Sequence, residues 1–501
     1  MLLFPAIRSL GRVAFGRRPS GVDLERMIAD LRGRLLRGKV VRPFAPRLSP
    51  EFLRRRTRAL QLRKLRRTVA HVHASVPHYR RTLDAAGVDP SSLRSLADLR
   101  RLPITRRADL EARPEDFLSR APGLSPAVAL RTSGTTGRPL ELYLTADEFD
   151  YYVAVQALSG MSLGFLGPAH VLQVHLSLDT SIASRLFTEA ARRTGALVLN
   201  LGVTGDLDRS LDSLTRERRL PGKHAKVSGL FAAPGQLWAL TARAEERGLG
   251  PGDFGLGRVF TCGALVSEAL RARVQRVFGR PLREAYSMVE TPGTGIFECE
   301  SGRLHFLDLS GLIEFLDPAT EEPVLPGTPG VAVITTFHPD RELTPLLRYW
   351  TNDLMIPSSE STCACGMTST LVDDILGRLD DMLIVGGRNV YPQSFGDALT
   401  AFPELVQPPR FRVRVEERPR AQHVVVTAEC RVLPDEPERS SLAARIRSAL
   451  PISQDPYLLT GTYGCEVELV TAGSLAEAFR YKLQGAVLYP ARPPAEGAVS
   501  R

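Results

Sequence analysis

Short β-rich runs alternate with helical runs from about residue 127 onward, and this alternation restricts the chain to few fold classes. The β-rich runs are AHVLQVHLSL, ALVLNLGV, GRVFTCGAL and PLREAYSMV, and the helical runs include ALTARAEERG and SEALRARVQRVFG. Strands that alternate with helices in this way usually pair in parallel, with the helices packed on the faces of the sheet. The pattern therefore predicts an α/β body with a parallel sheet.

The chain has 501 residues, and single hydrophobic cores rarely grow beyond about 250–300 residues. Residues 303–356 are more purely β-rich, with Asp-Pro and Pro-Gly turns between strands. A smaller α+β pattern begins at Gly377. We predict a large α/β domain with a β-rich subdomain at 68–376, a small C-terminal α+β domain at 377–490, and a disordered Pro/Ala/Gly-rich tail at 491–501.

Positive charge is concentrated at the N-terminus. Residues 1–67 contain 19 Lys and Arg but only four acidic residues, whereas the rest of the chain is mildly acidic. Such a basic N-terminal arm could meet nucleic acid or an anionic membrane surface, or it could be a solvated amphipathic helix. We favour the helix and expect no nucleic-acid partner, because no aromatic residues interleave with the arginines and no nucleic-acid motif follows.

The sequence also limits where the protein resides. No stretch is long and apolar enough to cross a bilayer as a transmembrane segment. The opening run MLLFPAIRSL is too short and is interrupted by Pro5 and Arg8, so it does not match a secretory signal. We therefore expect a cytoplasmic protein.

A polar loop lies between two strand-like runs in the stretch AVALRTSGTTGRPLELYLT. Its glycines free backbone amides to turn toward a ligand, its hydroxyls donate hydrogen bonds, and its arginine adds a fixed positive charge. The residues concerned are Thr132, Ser133, Gly134, Thr135, Thr136, Gly137 and Arg138. Their spacing differs from that of the P-loop. The loop is either a plain turn or a phosphate-binding site.

Three further motifs follow this loop in order: AYSMVET at 285–291, RYWTNDL at 348–354 and GRLDDMLIVGGRNVYP at 377–392. The ordered set resembles the adenylate-forming superfamily of acyl-CoA synthetases, and most closely its phenylacetate-CoA ligase branch. The helical segment that begins VHASVPHYRRTLDAAG, and CACG before GRLDDM, also resemble that branch. The resemblance spans roughly residues 65 to 490.

The resemblance implies a nucleotide site. The loop from Thr132 to Arg138 would hold the ATP phosphates, with Arg138 among the catalytic residues. Tyr286 would stack on adenine, and Glu290 would be catalytic and bind Mg²⁺ through a hard carboxylate oxygen. Each residue taken alone could instead be structural, for example a core tyrosine at Tyr286.

The same resemblance implies roles farther along the chain. Asp353 would accept hydrogen bonds from the ribose hydroxyls, and Arg378 would support the ribose or phosphate. Asp380 would be the hinge about which the small C-terminal domain moves as a lid. Taken alone, both aspartates could simply be turn carboxylates.

A lysine from the lid completes the implied catalytic set. Lys482, in GSLAEAFRYKLQG, is the only lysine beyond residue 226. Tyr481 stands where the family has glycine, and the spacing is one residue longer. A surface lysine on a helix is the alternative interpretation.

The implied activity is that of an AMP-forming acid-thiol ligase. A small-molecule carboxylic acid, aromatic or small organic, would be activated with ATP and Mg²⁺ to an acyl-adenylate and then transferred to CoA. Two alternatives remain open: transfer to an amine or carrier protein, and a degenerate member that binds nucleotide without turnover. A homodimer is kept as a hypothesis.

The acyl pocket is placed around Gly263, Ala264, Ser287 and Met288. Several residues depart from the pattern of the branch: Ser287 and Asn352 replace glycines, Ala264 replaces a glutamate, and Val289 replaces a hydroxyl residue that would touch phosphate. Losing that contact would cost about 1 kcal/mol of binding free energy. We therefore expect a reshaped pocket and an acid other than phenylacetate.

Cysteine and histidine form a second constellation. Cys299, His305, Cys363 and Cys365 offer three thiolates and one imidazole, the ligand set of a tetrahedral structural zinc site. Similar positions carry zinc in some relatives of the branch. The alternative is a group of reduced cysteines that behave as small apolar residues. The remaining cysteines, Cys262, Cys430 and Cys465, are predicted to lie in the core.

Overall fold

The structure is a computed structural model of the chain. It describes residues 17–37, 49–131, 140–176, 182–381, 383–385, 388–390, 392–417, 422–450, 452–453, 463–475 and 487–488. Three predicted features lie outside these ranges: the glycine-rich loop from Thr132 to Arg138, Lys482, and the tail at 491–501.

Helices cover both faces of a large sheet. The α-helices are α1 Gly21–Leu36, α2 Pro50–Ser75, α3 Pro77–Ala85, α4 Arg107–Ala112, α5 Ala146–Ser162, α6 Ile182–Thr194, α7 Leu207–Thr215, α8 Pro234–Glu246, α9 Glu268–Phe278, α10 Pro392–Leu399 and α11 Glu438–Ala449. Local chemistry sets their ends. For example, the Ser267 hydroxyl accepts from the Leu270 amide at the start of α9, and Gly279 ends that helix with a φ of 67°.

The strands divide into a large sheet, a small sheet and two hairpins. They are β1 Val128–Arg131, β2 Glu141–Leu144, β3 Val171–His175, β4 Leu197–Asn200, β5 Gly229–Ala232, β6 Arg258–Cys262, β7 Leu282–Ser287, β8 Gly295–Glu298, β9 Leu304–Phe306, β10 Gly311–Leu316, β11 Gly330–Thr336, β12 Tyr349–Pro357, β13 Leu371–Arg378, β14 Leu383–Val385, β15 Arg388–Val390, β16 Phe411–Glu417, β17 Gln422–Cys430, β18 Tyr463–Thr471 and β19 Val487–Leu488.

Within the described chain, eleven strands form one mixed sheet in the order β10-β11-β12-β13-β9-β8-β7-β6-β5-β3-β4. The half from β4 to β7 is parallel, and the half from β7 to β10 is antiparallel. Helices α7, α8 and α9 pack on one face of the parallel half, and α5 and α6 pack on the other. The predicted α/β class is confirmed, and the β-rich run at 303–356 contributes to the antiparallel half.

The C-terminal residues build a separate core. A four-stranded sheet in the order β18-β17-β16-β19 packs against α10 and α11. Phe395, Val424 and Ile446 are fully buried in this core. The predicted small α+β domain is thereby confirmed as a fold class. Cys262, Cys430 and Cys465 are all buried, as predicted.

The basic N-terminal residues that the structure describes are helical and packed on the body. α1 contacts α5 and α6. α2 runs across residue 67, the predicted end of the arm, and buries Leu65, Val69 and Val72 completely. Among the described residues, no helix has the length and apolar character needed to span a membrane.

A buried ion pair joins α2 to the loop after β11. Lys64 Nζ lies 2.6 Å from Asp340 Oδ2, and both side chains are less than 5% exposed. The ammonium group also donates to the Leu309 carbonyl oxygen at 2.8 Å. A charge removed from water needs such partners, because its desolvation is otherwise uncompensated. This pair therefore holds the N-terminal helix to the β-rich part of the domain.

We expect Lys64→Met to lower the free energy of unfolding by about 3–5 kcal/mol, because it leaves the Asp340 carboxylate buried without its cation. Urea denaturation followed by circular dichroism measures the change. Arg55→Met, on the exposed side of the same helix, is the control and should shift stability by less than about 0.5 kcal/mol. Equal effects of the two substitutions would contradict the role of the pair.

Candidate active site

Asp353, Arg378 and Tyr286 converge where the two halves of the sheet meet. Asp353 on β12 pairs directly with Arg378 at the end of β13. The Arg378 guanidinium lies 3.9 Å from Asp353 Oδ1, and the Tyr286 hydroxyl donates to Oδ2 at 2.6 Å. Burial and the neighbouring Asp353 carboxylate raise the pKa of Tyr286 well above its usual value, so the phenol stays a neutral donor. The three residues assigned to adenine and ribose thus form one group.

Glu290 lies beside this group and is 5% exposed. Its Oε1 accepts from the Tyr349 hydroxyl at 3.3 Å and from the Arg107 guanidinium at 3.4 Å. Burial raises the pKa of the Glu290 carboxyl, whereas the charge of Arg107 opposes that rise. A single carboxylate suits Mg²⁺, which usually takes one or two protein carboxylates and completes its shell with water and phosphate. The chemistry of Glu290 therefore fits this ion.

Arg107 and Tyr349 were not predicted as site residues. Arg107 begins α4 and also pairs with Glu111 at 2.7 Å, and Tyr349 begins β12. Arg107 is 183 positions away from Glu290 in the chain. The sequence carried one usable signal, since Tyr349 belongs to the motif RYWTNDL. Arg107 lies near the end of the helical segment that resembles the branch, but that resemblance gives it no role, so only the fold assigns it to this site.

Asn352 contacts the predicted hinge. Its backbone has a φ of 68°, in the left-handed region that Asn tolerates better than most residues other than Gly. Its side-chain amide donates to the Asp380 carboxylate. Asp380 lies in the short helical turn Leu379–Asp381, between β13 of the large sheet and β14. The residue that replaces a glycine is therefore bonded to the segment that joins the two domains.

The residues assigned to the acyl pocket lie at the carboxyl ends of two adjacent parallel strands. Gly263, with a φ of 90°, and Ala264 follow β6. Ser287 is the last residue of β7, and Met288 follows it. Gly263 and Ser287 are exposed, and Ala264 and Met288 are half-buried. Ligand sites in α/β folds lie in clefts at this edge of the sheet. The four residues therefore lie at the edge of the sheet where such sites occur, close to Tyr286 on β7.

The four predicted zinc ligands lie close together in the structure. The ligand atoms of Cys299, His305, Cys363 and Cys365 all lie within 4.8 Å of one another. Cys299 Sγ is 3.7 Å from Cys363 Sγ, and Cys365 Sγ is 3.4 Å from His305 Nε2. His305 Nδ1 lies 2.9 Å from the Ser369 hydroxyl, which orients the ring. Burial and the nearby Arg303 lower the pKa of His305 to about 4, so the imidazole is neutral, as a ligand must be.

Lys482 and the loop from Thr132 to Arg138 lie outside the described residues, so their predicted placement beside the nucleotide stays a prediction. Of the predicted site residues that are described, Tyr286, Glu290, Asp353 and Arg378 come together in one region. Asp380 adjoins them through Asn352.

Comparison with known proteins identifies related chains. A phenylacetate-coenzyme A ligase of Thermus thermophilus is 33% identical over 388 residues, which cover 77% of this chain and 83% of that protein. A phenylacetate-coenzyme A ligase of Escherichia coli is 28% identical over 390 residues, covering 74% and 82% of the two chains. No protein-family model matches the chain.

Solved structures agree in fold. A 2-hydroxyisobutyryl-CoA ligase in the postadenylation state, in complex with R3-HIB-AMP, has a TM-score of 0.68 at 22% identity, covering 86% of this chain and 89% of its own. The same ligase in the thioesterification state, with 2-HIB-AMP and CoA, has a TM-score of 0.59 and covers 89% and 91%. Because the identity to the Thermus thermophilus protein extends over most of both sequences, the chain belongs to the phenylacetate-coenzyme A ligase family of adenylate-forming enzymes.

Proposed function

We propose that this protein is an AMP-forming acid-thiol ligase that converts a carboxylic acid to its acyl-adenylate with ATP and then to a CoA thioester. The observation that carries the proposal is the convergence of Tyr286, Asp353 and Arg378 near the carboxyl ends of β6 and β7, where the residues assigned to the acyl pocket lie. This grouping supports a nucleotide site that lies next to the site of the acid. Membership in a family of phenylacetate-coenzyme A ligases supports the same reaction.

In the first half-reaction, the acid carboxylate attacks the α-phosphorus in line, and pyrophosphate leaves. The Asp353 carboxylate holds the ribose hydroxyls, and the Arg378 guanidinium orients that carboxylate. Glu290 would hold Mg²⁺, which supplies positive charge against the triphosphate. In this proposal the loop from Thr132 to Arg138 and the Lys482 amine stabilise the charge that develops on the phosphates.

In the second half-reaction, the thiol of CoA attacks the acyl carbon, the bond to AMP breaks, and AMP leaves with the electron pair of that bond. The small domain turns about Asp380 between the two steps and withdraws Lys482. Closure of this domain in the first step keeps water away from the reactive anhydride. The hydrogen bond from Asn352 to Asp380 stabilises the orientation of the small domain in which this bond forms.

The departures at Ser287, Val289 and Asn352 favour one rival, a member of the family that binds nucleotide without turnover. Transfer to an amine or a carrier protein is the other rival, and a requirement for free CoA distinguishes it from the proposed reaction. The cytoplasmic location and the homodimeric assembly stay predictions. The use of an acid other than phenylacetate also stays a prediction.

The cluster of Cys299, His305, Cys363 and Cys365 would hold one structural zinc ion. Three sulfur ligands and one neutral imidazole nitrogen form the donor set of closed tetrahedral zinc sites. Cys299 follows β8, His305 lies on β9, and the other two ligands precede β13. A metal bound here would tie these three strands together, and a closed site would offer no position to the substrate.

We expect acid-dependent exchange between ATP and labelled pyrophosphate, measured over a panel of aromatic and aliphatic acids. Lys482→Ala should lower the exchange by about 10²–10³-fold, as expected when a residue that stabilises transition-state charge is lost. Lys226→Ala, which removes the half-exposed lysine bonded to the Asp253 carbonyl oxygen, is the matched control and should retain the rate.

Two outcomes would contradict the proposed reaction. Absence of exchange over the whole acid panel with the wild-type protein would favour the non-catalytic member. Exchange without any acyl-CoA product by mass spectrometry, when CoA is present, would favour transfer to an amine or carrier protein.

We also expect the purified protein to contain about one zinc ion per chain by elemental analysis. Cys363→Ala should lose the metal and lower the melting temperature, because metal binding contributes folding free energy. Cys430→Ala, at a buried cysteine in the small domain, is the control and should retain the metal. A protein supplied with zinc that binds none would argue against the site.

A further inference from the structure

A cavity of about 420 Å³ lies at the amino-terminal edge of the parallel strands. Leu172 near the start of β3, Gly229 at the start of β5 and Arg258 at the start of β6 line it. The candidate active site lies at the opposite, carboxyl ends of these strands. The proposed mechanism therefore gives this cavity no role, although its volume is within the range of ligand pockets.

The strand register orders the side chains between the cavity and the active site. Val174, Phe231 and Phe260 pair across β3, β5 and β6, so they form one row on the same face of the sheet. Phe231 and Phe260 line the cavity. Cys262 lies two residues farther along β6, packs in a cluster with Val174 and Phe231, and is followed directly by Gly263 of the acyl pocket. The phenylalanine row thus lies between the cavity and that pocket.

The Phe187 ring, on α6, packs against this row of side chains from the helix layer. Phe187 meets Phe231 edge to face, with ring centroids 4.6 Å apart. Phe165 meets Phe260 in the same manner at 5.1 Å. Phe231 is only 7% exposed, whereas Phe187 and Phe260 are half-buried and face the cavity. Aromatic pairs of this geometry are favourable, so the rings hold a defined arrangement.

We propose that Phe187 and Phe231 form a partition that ends the acyl pocket and limits the substrate to compact carboxylic acids. The inference rests on the proposed function, because it concerns the acid that is adenylated. The cavity then lies beyond the partition and continues the acyl pocket, but the substrate of the wild type does not enter it. Removing either ring joins the two spaces and admits an elongated apolar acid.

The chemistry of the cavity indicates which acids would enter after that change. Four phenylalanine rings and Leu172 line part of it, and the other side chains of the lining include the polar residues His170, His224, Ser228, Arg258 and Glu300. An apolar chain is the group that matches the phenylalanine part. Arg258 and Glu300 pair with each other at its outer end, and the Arg258 guanidinium also lies 4.8 Å from the Phe165 ring centroid. The strand from Arg258 to Cys262 spans about 13 Å, which an extended medium-length acyl chain can cover.

The experiment measures acid-dependent pyrophosphate release for butyrate, hexanoate, octanoate and decanoate with the full-length enzyme. The readout is the ratio of kcat/KM for decanoate to that for butyrate. The wild type should favour butyrate. Phe231→Ala should raise the ratio at least about tenfold, since even one methylene in an apolar pocket changes kcat/KM by about 10–200-fold.

Two further variants keep the test decisive. Phe187→Ala removes a half-buried ring, so it tests the partition even where Phe231→Ala fails to fold. Phe254→Ala is the matched control, because Phe254 is 8% exposed and also packs edge to face, on Phe278, at 5.0 Å on the other face of the sheet. The control should leave the length ratio unchanged.

The outcomes separate the partition from the proposed function. A wild type that already uses decanoate as well as butyrate, or folded Phe187→Ala and Phe231→Ala variants with an unchanged ratio, would overturn the partition alone. A wild type that releases no pyrophosphate with any acid, phenylacetate included, would overturn the adenylation reaction and the partition with it.

Discussion

The candidate site depends on strand β7, which is hydrogen-bonded to a parallel strand on one side and to an antiparallel strand on the other. β7 pairs in parallel with β6 and antiparallel with β8, so it joins the two halves of the large sheet. Gly263 follows a strand of the parallel half, and Asp353 and Arg378 lie on strands of the antiparallel half. Tyr286 lies on β7 itself and bonds to Asp353. A shift of this strand by one residue would turn Tyr286 to the opposite face and separate it from Asp353.

Charges buried in this domain are held by long-range partners. Lys64 meets Asp340, and Glu290 meets Arg107 and Tyr349. At the junction with the small domain the contacts are more exposed, as at Asp380, which accepts from Asn352. Buried pairs resist rearrangement, because breaking them leaves an uncompensated charge, whereas an exposed hydrogen bond exchanges readily with water. This distribution suits a rigid large domain joined to a movable small one.

Two features of the parallel half of the sheet bear on the proposed choice of acid. Small residues, Gly263 and Ala264, follow the carboxyl end of β6, and Phe231 and Phe260 fill the middle of the parallel strands. A pocket bounded in this way is selective by size, because apolar walls distinguish ligands chiefly by the volume they exclude. Under the proposed partition, the choice of acid depends on ring packing inside the domain, several residues along β6 from Gly263.

Much of the fold and part of the site follow from the sequence by itself. Alternating strand and helix runs determine the α/β class, because that signal depends on neighbouring residues. The resemblance of the ordered motifs to the adenylate-forming superfamily implies one nucleotide region that contains Tyr286, Glu290, Asp353 and Arg378. Tertiary structure alone decided that Arg107 meets Glu290, that the basic α2 buries Lys64 against Asp340, and that Phe187 closes on Phe231. These partners are far apart in the chain, and their contacts arise from the packing of whole helices and strands. Local spacing carries no record of such packing.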